Sequence, residues 1–304
     1  MALDLAEATS TPADGRPAKG GRRRLPLAWL GGVPFIGYVS IFLLLPTAIV
    51  IFGAFLKGNG GGFTLDNLKS LNQDYVRSAF ENSVILSAAS ALIGAVVGGV
   101  FAYVIATGRR DGTMRRIVTS ACGVLAQFGG VTLAFAFIAT IGGAGFITVF
   151  LANHGIDIYS DGVWLYKLNG LVLVYTYFQI PLMVLVFLPA VDGIRPQWRE
   201  AAESLGGTTW HYWRHVAGPL LFPAFIGSAL LLFANAFSAY ATAAALVSQG
   251  GIIVPLQIGN SLSSEVIVGQ QNYGKALAFG MIVVVAIVMA LYVVLQRRTT
   301  KWLK

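Results

Sequence analysis

Charge is scarce in this chain: 11% of its 304 residues are Asp, Glu, Lys or Arg, against about 25% in an ordinary soluble domain. With 56% hydrophobic residues and a mean hydropathy of +0.71, that scarcity excludes a typical soluble enzyme and makes lipid the solvent for most of the sequence. One cysteine, Cys122, leaves no internal disulfide and no thiolate metal cluster to form. None of the 13 acidic residues falls within the long apolar runs, and the three histidines, His154, His211 and His215, fall in loops between them. Proton-driven carriers and intramembrane hydrolases depend on buried ionisable groups, so the sequence speaks against both. The pattern G-x-x-x-x-G-K-[ST], whose backbone amides cradle nucleotide phosphates, is missing as well. A chain of this kind that moves a solute takes its energy from another subunit.

What is present is a set of six apolar stretches, near 29–56, 82–107, 117–140, 170–191, 219–246 and 276–296. An α-helix of about 20 such residues crosses the hydrocarbon with its backbone polar groups paired internally. The 36 glycines suit membrane helices that approach closely. The run from Ile117 to Ala152 is uncharged and is broken by Gly142, Gly143 and Gly145, so its length fits one span or two. Charge decides between them. With six spans and the N-terminus inside, the inner segments hold 16 of the 21 Lys and Arg, whereas a seventh span moves Arg195, Arg199, Arg214 and the Arg297-Arg298 pair outside, against the positive-inside rule. Gly145–Ala152 is therefore expected as a short helix at the outer face, with both termini cytoplasmic. The net charge of +8 belongs to these inner segments rather than to a nucleic-acid surface. Residues 1–24, polar and carrying Arg22-Arg23-Arg24, are expected as a disordered cytoplasmic tail. The apolar stretch behind them is too long for a cleavable signal, which leaves residues 25–304 as the transmembrane domain.

The inner segment 192–218 is a long amphipathic insertion between two apolar spans. Pro196 suits the first turn of a helix, where its missing N–H costs nothing. Trp198, Ala201, Ala202 and Leu205 follow at helical spacing and make one apolar stripe. Gly206-Gly207 ends that helix, Thr208 or Thr209 caps a second one running through Trp210 and Trp213 to about Val216, and Pro219 opens the next span. By these features alone the segment is a helical hairpin at the membrane surface, either lying among headgroups or docking a protein.

Glu200-Ala201-Ala202, Gly206 three residues on, and Val216-Ala217-Gly218-Pro219 after nine more resemble the EAA motif (E-A-A-x3-G-x9-I-x-L-P) of the permease subunits of binding-protein-dependent ABC importers. Val216 stands for the usual Ile and Gly218 for the usual Leu. Over residues 25–304, Asn82-Ser83, Gln179-Ile180-Pro181 and Phe233-Ala-Asn-Ala-Phe-Ser-Ala-Tyr240 are similar to the spermidine/putrescine-type permeases, a group that includes phosphonate, opine and ferric-iron importers. The resemblance implies an all-α membrane protein of six transmembrane helices in the type I ABC importer permease fold, set in a prokaryotic cytoplasmic membrane. It also implies its partners: a dimer of ATP-binding subunits, a second permease subunit and an extracytoplasmic solute-binding protein. No cofactor is expected on this chain, ATP and Mg being held by the ATPase, and the chain is a transporter subunit rather than an enzyme. Glu200, Ala201, Ala202, Gly206 and Pro219, with Arg199 and Glu203 beside them, would form the ATPase-coupling element. In it Glu200 supplies a polar contact, the alanines allow close approach and Gly206 gives the turn, while Trp210, Trp213 and Arg214 brace the loop.

Uncharged polar residues within the spans are the candidates for a translocation pathway: Asn82, Gln127, Gln179, Asn235, Ser238 and Tyr240. Each of them can instead bond a neighbouring helix. Gly94-x3-Gly98 suits a close helix crossing, and Pro181 and Pro189 are sites for a kink in the fourth span. Asp157, Asp161, Trp164 and Tyr166 in one outer loop, with Glu265 and Lys275 in another, are candidates to meet a binding protein. A cationic polyamine would be expected to meet carboxylates or an aromatic cage. The spans contain no acid, so the polyamine expectation comes from the resemblance, and a phosphonate, opine or ferric-iron solute stands beside it. A stand-alone channel or scaffold whose hairpin docks another protein is the reading from a different class.

Overall fold

The computed structural model describes residues 28–57, 62–108, 112–160, 162–247, 251–263 and 271–300. The tail 1–24, Asp161 and Glu265 lie outside the described residues. Two compact units divide the chain, one ending at Ala48 and the other running from Ile49.

The first long helix comprises α1 (Ala28–Val39), a π-helical turn over Ser40–Leu44 and α2 (Leu45–Ala54). Pro46 cannot donate a backbone hydrogen bond, which favours a wider turn before it, and the Thr47 hydroxyl donates to the Leu43 carbonyl at 2.7 Å. Phe35, Ile36, Tyr38, Phe42 and Leu43 of this helix are exposed; such a surface is stable only against lipid or another apolar surface.

Beyond it come α3 (Asp66–Lys69), α4 (Asp74–Thr107), α5 (Thr113–Gln127), α6 (Gly130–Ile141), α7 (Phe146–Ala152), α8 (Leu168–Asp192), α9 (Pro196–Ser204), α10 (Thr209–Tyr212), α11 (Gly218–Ser238), α12 (Ala241–Leu246), α13 (Val254–Ser263) and α14 (Gln271–Thr300). Among the described residues six segments are long and apolar enough to cross a membrane: Gly32–Ala54, Asp74–Thr107, Gly130–Ala152, Leu168–Asp192, Thr209–Ser238 and Asn272–Val294. The number agrees with the sequence reading, and three of the boundaries do not. The third span expected at 117–140 is interrupted at Phe128-Gly129, because Gly130 takes a left-handed conformation (φ +70°) that only glycine adopts without strain. The fifth, expected at 219–246, bends at Ala239, whose ψ of 111° is extended. The second starts at Asp74 rather than near 82, so Asn82-Ser83 sits two turns inside the helix. A short helix is present near the expected Gly145–Ala152 as α7, set off from α6 by a turn at Gly142–Gly145, but it falls within the apolar segment Gly130–Ala152 rather than apart from the third crossing stretch. Lys275, expected in a loop, stands in the first turns of α14, where its ammonium donates to Asn272 Oδ1 at 3.0 Å.

The interior is built on α4, α8 and α11. Helices in lipid gain little from apolar transfer and associate through close packing, and α4 meets this demand with small residues: Ala91, Gly94, Ala95, Gly98, Gly99 and Ala102 are all buried. A Cβ on Gly94 would lie 2.6 Å from Gln179 Cβ, and one on Gly98 would lie 2.6 Å from the Ile180 carbonyl oxygen. Both glycines therefore set the approach of α4 to α8. Leu71, Val76, Ala79, Val254 and Leu277 close a smaller apolar cluster where α4, α13 and α14 meet.

Candidate functional site

The hairpin is built as its sequence dictates at the first limb and differently at the second. Pro196 opens α9, and the helix closes on a Schellman motif: Gly206 N–H donates to the Glu203 carbonyl and Gly207 N–H to the Ala202 carbonyl, each at 2.9 Å. Gly206 holds φ at +78°, which accounts for glycine in the motif on backbone grounds. Thr208, rather than Thr209, caps the next helix and accepts from His211 N–H. That second limb is not a separate surface helix. It runs through a π-helical turn, Trp213–Ala217, straight into α11, because Pro219 lacks the N–H of a regular turn and the wider register places Gly218 N–H on the Trp213 carbonyl.

Side chains on the hairpin divide by function. Tyr212 is buried, and the Trp213 ring meets Tyr103 of α4 edge-on with centroids 5.1 Å apart, which ties the hairpin to the helix core. Trp198, Leu205 and Trp210 face outward, Leu205 being 89% exposed. Trp198 and Leu205 of the apolar stripe are thus left uncovered by the described residues. Ala201 is exposed, Ala202 half-buried, and Glu200 is exposed with no ion pair among the described residues. Arg199 pairs with Glu203 at 2.9 Å, and the hydrogen bond and charge of that carboxylate hold the guanidinium above its ordinary pKa. A hollow of about 540 Å³ lies at the hairpin root, lined by residues 192–198.

The residues named for a pathway fall into two groups. Gln179 is fully buried: its Nε2 donates to the Leu232 carbonyl at 2.7 Å, while its Oε1 has no partner. Asn82 donates to the Ile252 carbonyl at 3.1 Å, and beside it Ser83 Oγ accepts from Val254 N–H. These two side chains brace α8 against α11 and α4 against the start of α13. Asn235, Ser238 and Tyr240 are exposed, as is Gln127. They flank the two helix interruptions, which are joined where Gly130 N–H donates to Thr242 Oγ1 at 2.9 Å, while the Tyr175 hydroxyl of α8 donates to the Ala239 carbonyl at 2.6 Å. Gly130, with its positive φ, is the local signal at the first interruption; Ala239-Tyr240, set in an alanine-rich run, carries none. Of the loop candidates, Trp164 and Tyr166 pack onto the core of α8 and α12, and Asp157 accepts from Tyr159 N–H at 2.8 Å. Among the described residues no group of three or more His, Cys, Asp or Glu is gathered to hold a metal ion.

No family model matches the chain. The spermidine/putrescine transport system permease protein PotB of Haemophilus influenzae is 23% identical over 262 residues, covering 84% of this chain and 89% of that protein. A putative ferric transport system permease protein of the same organism, FbpB 1, is 26% identical over 200 residues, and the match spans 64% of this chain but only 30% of the relative. Among solved structures, a bacterial ABC transporter involved in the import of the acidic polysaccharide alginate superposes with a TM-score of 0.69 at 19% identity, over 91% of this chain and 96% of that one. The fold is accordingly the ABC importer permease fold, in a multi-pass membrane protein. The chain has the sequence likeness of an ABC importer permease subunit, with the spermidine/putrescine type among those it resembles.

Proposed function

We propose that this chain forms half of the translocation pathway of an ATP-driven importer and couples to a cytoplasmic ATPase subunit through the hairpin at 196–217. The observation that carries the proposal is the exposed face of α9: Trp198 and Leu205 stand exposed near Glu200, which has no ion pair among the described residues, on a helix whose ends are fixed by Pro196 and the Gly206-Gly207 turn. An apolar stripe with one charge and rigid ends is a docking surface for a protein cleft. A hairpin seated among headgroups carries chiefly Lys and Arg on its polar face, whereas α9 sets Glu200 and Glu203 beside Arg199. On this reading the hairpin end of the helices faces the cytoplasm, and Ala201 and Ala202 let the partner approach.

The pathway reading rests on Asn235, Ser238, Tyr240 and Gln127, which stand exposed around the joined helix interruptions, with Gln179 and Asn82 bracing the helices behind them. Irregular backbone at membrane depth is tolerated where it lines a cavity. A second permease subunit would supply the other wall, and an extracytoplasmic binding protein would deliver the solute. We assign the solute to the polyamines on the strength of the PotB likeness, which runs nearly the full length of both chains; the FbpB 1 likeness makes a ferric complex the competing solute. The test is ATP hydrolysis by the complex purified through this chain, in lipid, with its binding protein and spermidine, putrescine, an aminoalkylphosphonate, an opine or a ferric chelate. Stimulation by a polyamine supports the proposal, stimulation by another class reassigns the solute, and a preparation without any ATPase overturns the importer reading in favour of a channel or scaffold.

A further inference from the structure

Where the hairpin joins the bundle, an apolar groove of about 420 Å³ opens between α4 and α11. Val96, Gly99, Val100 and Tyr103 line it on α4, and Phe222 and Phe225 on α11. Gly99 gives the groove its depth, since a Cβ there would lie 3.1 Å from the Phe225 ring. From Val96 to Tyr103 it follows α4 for two helical turns, about 10 Å, and no charged residue lines it. Val96, Val100 and Phe222 are each more than half exposed, so the described residues leave it open. Its hairpin end differs in kind. Tyr103 and Trp213 meet there edge-on, as aromatic rings gather where hydrocarbon gives way to headgroups. Tyr212 is only 6% exposed, and neither its hydroxyl nor that of Tyr103 has a hydrogen-bond partner among the described residues. The Arg199 guanidinium lies within electrostatic reach of both phenols and is paired with Glu203 at 2.9 Å.

One end of the groove thus offers a cation, an anion and two free hydroxyls with no net charge, and the rest offers an apolar slot. We propose that it seats one phospholipid of the hairpin-side leaflet, with an acyl chain between α4 and α11 and a headgroup bearing both a phosphate and a primary ammonium. The phosphate complements the Arg199 guanidinium and the phenol hydroxyls. The ammonium complements the Glu203 carboxylate, which accepts N–H donors that a quaternary ammonium lacks. A headgroup of net negative charge would meet that carboxylate as a like charge. Arg199 and Glu203 lie about a third of a turn round α9 from the stripe of Trp198 and Leu205, so the seated lipid ties α9 to α4 and leaves the docking face free. The inference needs the membrane and goes beyond the importer reading without resting on it.

The test uses the full chain purified in detergent and mixed with phosphatidylethanolamine, phosphatidylcholine or phosphatidylglycerol of identical acyl chains. Native mass spectrometry counts the lipid retained and reads the oligomeric state from the same spectra. Wild type retains one phosphatidylethanolamine in preference to the other two lipids. Arg199→Gln weakens that retention about three- to tenfold, and Glu203→Gln removes the preference over phosphatidylcholine. Val96→Trp and Val100→Trp fill the groove from exposed positions and expel the lipid, while the thermal midpoint without lipid stays near wild type. Two filling variants are made so that misfolding of one leaves the other to decide, and the two headgroup variants alter exposed side chains only. Equal retention of all three lipids overturns the proposal, as does retention that both filling variants leave untouched. A preference for phosphatidylglycerol overturns it by assigning the lipid to the basic inner segments. A lipid-free dimer that the filling variants break into monomers overturns it by giving the groove to a second copy of the chain. None of these results bears on the ATPase, so the importer reading stands or falls separately.

Discussion

The contact between α4 and α8 and the hairpin at 196–217 place alanine and glycine to opposite ends. In the contact, Gly94 and Gly98 are buried against Gln179, Ile180 and Met183 at distances that leave no room for a methyl group. On the hairpin, a Cβ on Gly206 would meet nothing within 4 Å, and the residue is required only by its positive φ. Small residues inside the bundle mark a surface already satisfied by this chain; on the docking reading proposed above, small residues on α9, flanked by exposed Trp198 and Leu205, mark a surface that a partner covers. The same residue type thus reports on packing in one region and on docking in the other, and burial is what separates them.

The strongest way to break the comparison is to enlarge the satisfied surface. Gly98→Ala puts a methyl 2.6 Å from the Ile180 carbonyl oxygen and from Met183 Cβ, backbone on one side and a core side chain on the other. Overpacking of this kind costs about 1–3 kcal/mol, so the thermal midpoint of the purified chain in detergent drops clearly and the yield of folded protein falls. An unchanged midpoint means that α4 and α8 are not in close contact.

On the awaiting surface the expected loss is in coupling and not in folding. Glu200→Lys reverses an exposed charge that has no ion pair among the described residues, so the thermal midpoint stays near wild type while solute-stimulated ATP hydrolysis of the complex is lost. Normal stimulation in that variant removes Glu200 from the ATPase contact. Leu205→Ser sharpens the point, since it changes an 89% exposed side chain and touches stability only if a partner covers it.

How far the sequence discloses each region follows from the same physics. The hairpin is legible residue by residue, since Pro196, Gly206-Gly207 and Thr208 act within a few positions of themselves, and its one misreading, a separate second helix, arises because a proline inside a helix can be absorbed by a π-helical turn as well as end it. The spans are legible as lengths. Their interruptions at Phe128-Gly129 and Ala239-Tyr240 are not, since they are stabilised by Gly130–Thr242 and Tyr175–Ala239 bonds between residues 112 and 64 positions apart. Polarity within a span marks Gln179 and Asn235 equally, and only the fold separates buried Gln179 from exposed Asn235.

Gln179 offers a smaller effect that tests that separation. Its amide oxygen is buried without a partner while its nitrogen bonds the Leu232 carbonyl at 2.7 Å. Gln179→Leu removes an unsatisfied acceptor along with one hydrogen bond of about 1 kcal/mol, and the two changes nearly offset. Stability shifts little and the solute dependence of the complex is unaltered. A change in solute preference would place Gln179 on the pathway after all, whereas Asn235→Leu and Ser238→Ala are expected to alter transport with the fold intact.

The smallest effect belongs to Arg199 and Glu203. The pair is one helical turn apart at 2.9 Å, with side chains 57% and 49% exposed. Exposed pairs of this kind contribute little after screening and side-chain entropy, and an Arg placed N-terminal to its Glu is the less favourable order along a helix. Glu203→Ala therefore leaves the thermal midpoint essentially where it is, in low salt or high. The Glu203 carboxylate holds Arg199 in place through its hydrogen bond, so the variant frees Arg199 to turn toward the face that carries Glu200. A fall in stimulated ATP hydrolysis without a fall in stability then assigns the pair to the docking surface, and no change in either leaves Glu200 and the apolar stripe to carry the contact without it.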